Sequence, residues 1–176
     1  MKLAVDDITE EQTTLEFSES AEDLARRLQQ GAPDWRSTAP LDCQITHYRA
    51  GDDLILTGGI HGCLIAMCAR CTEDFPWPLD TPFELVLLPR PPSSREDGEL
   101  TADDVAFGFY EGAEVDLSPL VCEQTLLALP TRPLCRDDCR GLCPRCGVNM
   151  NTTPCTCEAA TTAPRLGGIA ALWRDK

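Results

Sequence analysis

The sequence predicts an α+β fold, an antiparallel sheet or open β-barrel with two short helices, ending in a cysteine-rich module. Three observations carry this. Between Leu41 and Leu88, apolar clusters such as Leu54–Leu56, Ile60, Leu64–Ile65 and Phe83–Leu87 are punctuated by Gly51–Asp53, Gly58–Gly59 and Pro76–Pro78, the spacing of strands and turns. Two segments have helix-start chemistry instead. And six of the 11 cysteines fall between Cys135 and Cys157, where few large apolar residues are present to build a core.

In chain order, Leu3–Ile8 and Thr14–Phe17 read as short edge-like strands. Ser20 is placed to cap a helix, with Asp23 three residues on, and Ala21, Leu24, Ala25 and Leu28 share one helical face. Gly31 and Pro33 end it. The strand region follows, with a hairpin expected at Ala50-Gly51-Asp52 and a bulge or sharp bend at Gly58, Gly59 and Gly62. Pro89–Gly98 breaks the pattern. The stretch Glu96–Glu123 has nine carboxylates and no lysine or arginine, the composition of a solvated face. Ser118 as cap and Pro119 at the first helical position then predict a second helix, stopped by Pro130. The expected organisation is a body over 1–130 with an acidic loop region at about 89–116, a cysteine-rich module over 131–158, and a tail over 159–176 with the apolar content of a short helix.

Charge narrows the function classes. The 176 residues carry 29 acids against 15 bases, a net charge of −14. Such a field repels phosphate backbones and anionic membranes, so non-specific nucleic-acid binding is disfavoured and a basic protein partner is compatible. The opening residues MKLAVDDITEEQTT lack a cationic start followed by an apolar run, and no stretch has the roughly 20 apolar residues of a membrane span. A cytoplasmic location is expected, where thiols stay reduced and clustered cysteines serve as metal ligands.

The module spacing is Cys135-x3-Cys139-x3-Cys143-x2-Cys146-x8-Cys155-x-Cys157. Two thiolates separated by two residues can grip one ion, because the turn between them aims backbone N–H groups at the sulfurs. A following glycine, here Gly147, permits the left-handed closure. An all-thiolate tetrahedral shell suits Zn2+, with an iron–sulfur cluster as the chemical competitor. Four of Cys143, Cys146, Cys155, Cys157, Cys139 and Cys135 are expected to hold one structural zinc, which would supply on the order of 10 kcal/mol of folding energy. Arg132, Arg136, Arg140 and Arg145 are set against only Asp137 and Asp138. They are candidate contacts for RNA phosphate or for a partner, the protein's own acidic stretch included. Cys68-Ala69-Arg70-Cys71 is a second pair, open to three readings: a redox couple, a second metal half-site, or a structural turn. Cys43, Cys63 and Cys122 read as buried small residues, and His47 and His61 as plain strand residues. No phosphate-cradling loop, G-x-S-x-G or H-E-x-x-H is present, so neither a catalytic residue nor a small-molecule substrate is indicated.

Together, the run from Cys135 through Asn149 and Asn151 to Cys157, the central Cys68-Ala-Arg70-Cys71 with Phe75, and the order Asp116-Leu117, Glu123, Leu129-Pro130 between them resemble the YceD family of large ribosomal RNA subunit accumulation proteins. The tail from Pro164 to Leu172 is similar to that family's closing segment. Thr72 departs from the family's usual leucine, and Cys122 stands where no cysteine is expected. The resemblance implies a non-enzymatic factor supporting large-subunit (23S) ribosomal RNA synthesis, processing or stability. Its partners would be ribosome-assembly components, either a basic protein or the rRNA itself. A thiol-redox or other enzyme using Cys68 and Cys71 is the alternative.

Overall fold

The computed structural model describes residues 1–90 and 107–157. The elements are β1 (Lys2–Ala4), β2 (Thr13–Glu19), α1 (Ala21–Gly31), β3 (Trp35–Ser37), β4 (Leu41–Ala50), β5 (Asp53–Met67), β6 (Asp74–Pro89), β7 (Gly108–Tyr110), β8 (Glu114–Asp116) and α2 (Leu117–Ala128). Strands β2, β4, β5, β6 and β7 form a sheet in that order, with β3 joined to β5, while β1 and β8 make a separate two-stranded ribbon. All pairs are antiparallel except β6–β7, which is parallel. The sheet is therefore mixed and open, with β2 and β7 at its edges, and not a closed barrel. The expected tail helix and most of the acidic loop lie outside the described residues.

Both helices form where capping chemistry allows. The Ser20 side chain accepts from the Asp23 N–H at 3.2 Å, starting α1 as expected. The second helix begins earlier than expected. Asp116, not Ser118, is its cap and accepts from the Ser118 N–H at 3.1 Å. That places Pro119 within the first turn, where a proline still removes no intrahelical bond. Ser118 is used otherwise: its hydroxyl donates to the buried Glu19 carboxylate at 2.8 Å.

Hairpin β4–β5 turns at Gly51–Asp52, with Gly51 in the left-handed region at φ +67°. Along one edge the 15-residue β5 serves two neighbours, β4 over its first part and β3 over its last, and along the other it pairs with β6. Pro76 and Pro78, expected to break strands, lie inside β6. There β6 pairs with β5 alone, since β7 reaches only residues 87–89, so the missing N–H groups face an unpaired edge.

One face of the sheet is apolar. Leu41 and Ile45 of β4, Leu54, Leu56, Ile60 and Leu64 of β5, and Leu79 and Leu87 of β6 are buried against Leu24 and Leu28 of α1 and Leu117 and Val121 of α2. At one end, Trp35 meets Trp77 edge-on with ring centroids 5.8 Å apart, and Phe75 also meets Trp77 edge-on at 6.1 Å. Phe75 also packs against the buried cysteines beyond the end of β5, connecting the main core to the site. Cys43 and Cys122 are buried as expected. Cys63 is exposed, because strand alternation puts it on the opposite face from Leu64.

Candidate metal centres

The first thiol pair is held by the β5–β6 turn. Backbone bonds from Cys68 N–H to the Glu73 carbonyl (2.9 Å) and from Thr72 N–H to the Cys68 carbonyl (2.9 Å) fold residues 68–72 into a knuckle. Thr72 sits at φ 59°, an uncommon conformation for a β-branched residue, held by the strand pairing on either side. The C-terminal segment is laid onto this knuckle. Ala69 N–H donates to the Pro133 carbonyl (2.8 Å) and Leu142 N–H to the Arg70 carbonyl (3.0 Å). The Arg70 guanidinium donates to the carbonyls of Asp137 (3.1 Å) and Cys139 (2.9 Å). Gly141, at φ +73°, permits the close approach: a Cβ there would lie 2.9 Å from the Arg70 carbonyl oxygen.

These contacts sort eight cysteines into two quartets. Cys68, Cys71, Cys135 and Cys139 form one, and Cys143, Cys146, Cys155 and Cys157 the other; within each, all sulfurs lie within 4.8 Å of one another. The six module cysteines are thus divided. Cys135 and Cys139 join the sheet-end pair, while the remaining four gather round the second knuckle. That knuckle is closed by Cys143 N–H to the Val148 carbonyl (2.8 Å) and Gly147 N–H to the Cys143 carbonyl (2.9 Å), with Gly147 at φ +73°.

The donor sets fit a tetrahedral metal. Zinc–sulfur bonds of about 2.3 Å set tetrahedral edges of about 3.8 Å. In the first quartet Cys68 and Cys139 are 3.8 Å apart and Cys71 and Cys135 3.7 Å. In the second, Cys146 and Cys155 are 3.7 Å apart and Cys143 and Cys155 3.3 Å. These separations are far longer than the roughly 2.05 Å of a disulfide.

Thiol acidity follows from the same surroundings. Burial pushes the Cys68 thiol up, but N–H groups of Cys135, Cys71 and Arg70 outweigh it and bring it down to about 6. The N–H groups of Cys146 and Arg145 bring Cys143 to about 6. Their neighbours move oppositely. Burial first, then the sulfurs of Cys139, Cys68 and Cys71, push Cys135 to about 12, and the sulfurs of Cys155 and Cys146 push Cys157 to about 12. A quartet of thiols resists full ionisation by itself, and a dication would remove that resistance.

Asn151 ties the quartets together. It lies between ligand candidates of the second, yet its Nδ2 donates to the Cys139 sulfur of the first at 3.3 Å. Its Oδ1 accepts from Arg136 (2.8 Å) and from the Arg140 N–H (2.8 Å). A donor of this kind fixes a thiolate's position. The spacing of the cysteines gave no sign of the bridging roles of Asn151 and Arg70, because both act on partners distant in sequence. Arg70→Met is expected to cost about 1–2 kcal/mol, a value reduced for solvent exposure, read as a lower urea midpoint. Both bonds leave the single Nη1 atom, so Arg70→Lys should recover part of the loss through an ammonium that can donate to two carbonyls. An unshifted midpoint in both variants would remove Arg70 from the docking account.

Of the candidate contact residues, Arg132, Arg136, Arg140 and Arg145 are all exposed, and Arg136 pairs with Asp138 at 3.3 Å. His61 lies exposed on the sheet, while His47 is buried.

The fold and its thiols define a class: an open-sheet α+β protein whose sheet end and C-terminal segment meet through paired cysteine knuckles. The chain belongs to the YceD family, described as large ribosomal RNA subunit accumulation protein YceD, whose model matches residues 56–173 and so takes in both quartets. It is 31% identical over 118 residues to an uncharacterized protein of Mycobacterium tuberculosis, covering 66% of this chain and 54% of that one. It is also similar to proteins of Zea mays (27% over 129 residues, 60% of this chain and 44% of that one) and Arabidopsis thaliana (22% over 156 residues, 76% and 49%). Both are named large ribosomal RNA subunit accumulation protein YCED homolog 1, chloroplastic. The chain spans about half the length of the curated relatives it matches. No solved structure matches it. Among the described residues, no helix is long and apolar enough to cross a membrane.

Proposed function

We propose that the chain is a non-enzymatic cytoplasmic factor supporting the synthesis, processing or stability of large-subunit (23S) ribosomal RNA, and thereby ribosome assembly. In this reading each thiol quartet holds a structural zinc. The metal supplies tetrahedral charge neutralisation and folding energy; the residues around it do the rest. Cys68 and Cys71 anchor the C-terminal segment to the sheet, Arg70 and Asn151 orient it, and Arg132, Arg140 and Arg145 present positive charge for RNA phosphates. The observation that carries the reading is the division of eight cysteines into two close quartets, in a segment with exposed arginines and a chain of this family.

The redox alternative is less well supported. Cys68 and Cys71 are only 1% and 2% exposed, and a thiolate nucleophile needs access as well as a lowered pKa.

Depletion of the protein should lower the ratio of large- to small-subunit ribosomal RNA, and the wild-type gene should restore it. A variant carrying Arg140→Glu and Arg145→Glu, with its zinc content intact, should restore it less well and co-sediment less with large-subunit precursors. A ratio that depletion leaves unchanged would sink the proposed role. Full rescue by the charge-reversed variant would sink the RNA contact alone.

A further inference from the structure

The second face of the sheet, away from the core, is left open by the described residues. Strand alternation presents Thr14, Glu16 and Ser18 of β2, Asp42 and Gln44 of β4, His61 of β5, and Asp80 and Glu84 of β6 to solvent. A depression of about 490 Å³ lies on it, lined by Glu16, Ser18, Asp42, Gln44 and His61 among others. The carboxylates are held in place by mostly neutral partners. Gln44 donates to Glu16 at 2.8 Å and Ser18 to Asp42 at 2.7 Å, while His61 meets Asp80 at 2.9 Å. Neutral donors orient a carboxylate without cancelling its charge, so the negative field of this face survives. Arg36 lies at the far end of this face, paired with Asp74, and Arg90, just past β6, is paired with Glu111.

We propose that this open sheet face is a docking surface for an extended lysine- and arginine-rich segment of a protein partner. Charge complementarity selects the occupant: the anionic part of this face, around Glu16, Asp42, Asp80 and Glu84, repels RNA and anionic lipid and attracts a polycation. The depression, with oriented acceptors on its wall, suits a cationic side chain laid into it. The surface lies on the sheet, away from the arginine-bearing module, and the proposal does not depend on that module meeting RNA.

The test titrates the full zinc-loaded chain, isotopically labelled, with an unstructured 20-residue lysine- and arginine-rich peptide at about 0.15 M salt, where the Debye length is about 8 Å. Backbone amide shifts should concentrate in β2, β4, β5 and β6 around Glu16, Asp42, His61 and Asp80. A variant with Glu16→Gln, Asp42→Asn, Asp80→Asn and Glu84→Gln should bind at least about tenfold more weakly. A control of equal charge change, with Asp6→Asn, Asp7→Asn, Glu10→Gln and Glu11→Gln, should lose less than about twofold, since surface charges separated by more than a Debye length are screened. Equal losses in both variants would mean attraction by net charge alone and would overturn the proposal. Shifts centred on the cysteine module or on residues 158–176 would overturn it too. The shift map of the unmutated chain decides the matter even if the fourfold variant does not fold.

Discussion

Metal analysis of the purified chain is expected to give about two zinc ions per molecule, falling to about one in Cys139→Ser. The loss should be specific to the first quartet. Cys139 is buried beside Cys68 at 3.8 Å and takes the Asn151 donor, so its sulfur is both a ligand candidate and the point where the segment carrying the second quartet is tied to the first. The hydroxyl of serine is a poor replacement for a thiolate in a soft tetrahedral shell. The mechanical effect should be larger than the stoichiometric one. The first quartet joins a turn at residues 68–71 to a segment more than 60 residues later, so its loss removes the clasp between sheet and C-terminal segment. Folding energy on the order of 10 kcal/mol is at stake for such a site.

Limited proteolysis should therefore cut residues 133–142 rapidly in Cys139→Ser, while the sheet core around Leu54, Leu56 and Ile60 stays protected, because that core is made without any ligand thiol. Cys63→Ser is the control: its exposed sulfur belongs to neither quartet, and two ions should remain. Retention of two ions by Cys139→Ser would contradict the first quartet as a metal centre. Loss of both ions would show that the quartets form a single cooperative unit.

Gly58→Ala should be the most damaging single-methyl change in the sheet. A Cβ at residue 58 would stand 2.0 Å from the Gln44 carbonyl oxygen and 3.0 Å from the Ile45 Cα. Both are backbone atoms of β4, paired in register with β5, and cannot rotate away as a side chain could. Relief requires parting the two strands at the middle of the core, at an expected cost of about 3 kcal/mol or more. For a chain of this size that is a fall in melting temperature of about 6–12 °C. Gly51→Ala provides the contrast. Nothing lies within 4 Å of its added methyl, and only the left-handed backbone at φ +67° opposes it, for about 1–2 kcal/mol. If Gly58→Ala melted at or above Gly51→Ala, close strand approach would not be what fixes glycine at position 58.

Much of the architecture was legible in the residues. Ser20 with Asp23 announced α1, and apolar clusters punctuated by turn residues between Leu41 and Leu88 announced a sheet, because capping and turn chemistry are local properties. The boundaries that went astray depended on choices between near neighbours. Asp116 and Ser118 can both cap a helix, and the chain uses Asp116 because Ser118 is engaged with Glu19, a partner 99 residues away. Pro76 and Pro78 look like breakers until β6 is seen to have a single neighbour at those positions.

The sequence by itself determined that this chain carries clustered thiols of the kind that could hold a metal. Paired cysteines with a glycine after Cys146 and too few apolar residues to form a core are read directly from spacing. Tertiary structure alone decided how the thiols are divided. A tetrahedron needs four sulfurs within about 4 Å, and distance along the chain does not set distance in space once a strand pair folds back. The β5–β6 turn carries Cys68 and Cys71 to the place where Pro133, Gly141 and Leu142 dock, and so assigns Cys135 and Cys139 to the sheet and leaves Cys143, Cys146, Cys155 and Cys157 to one another.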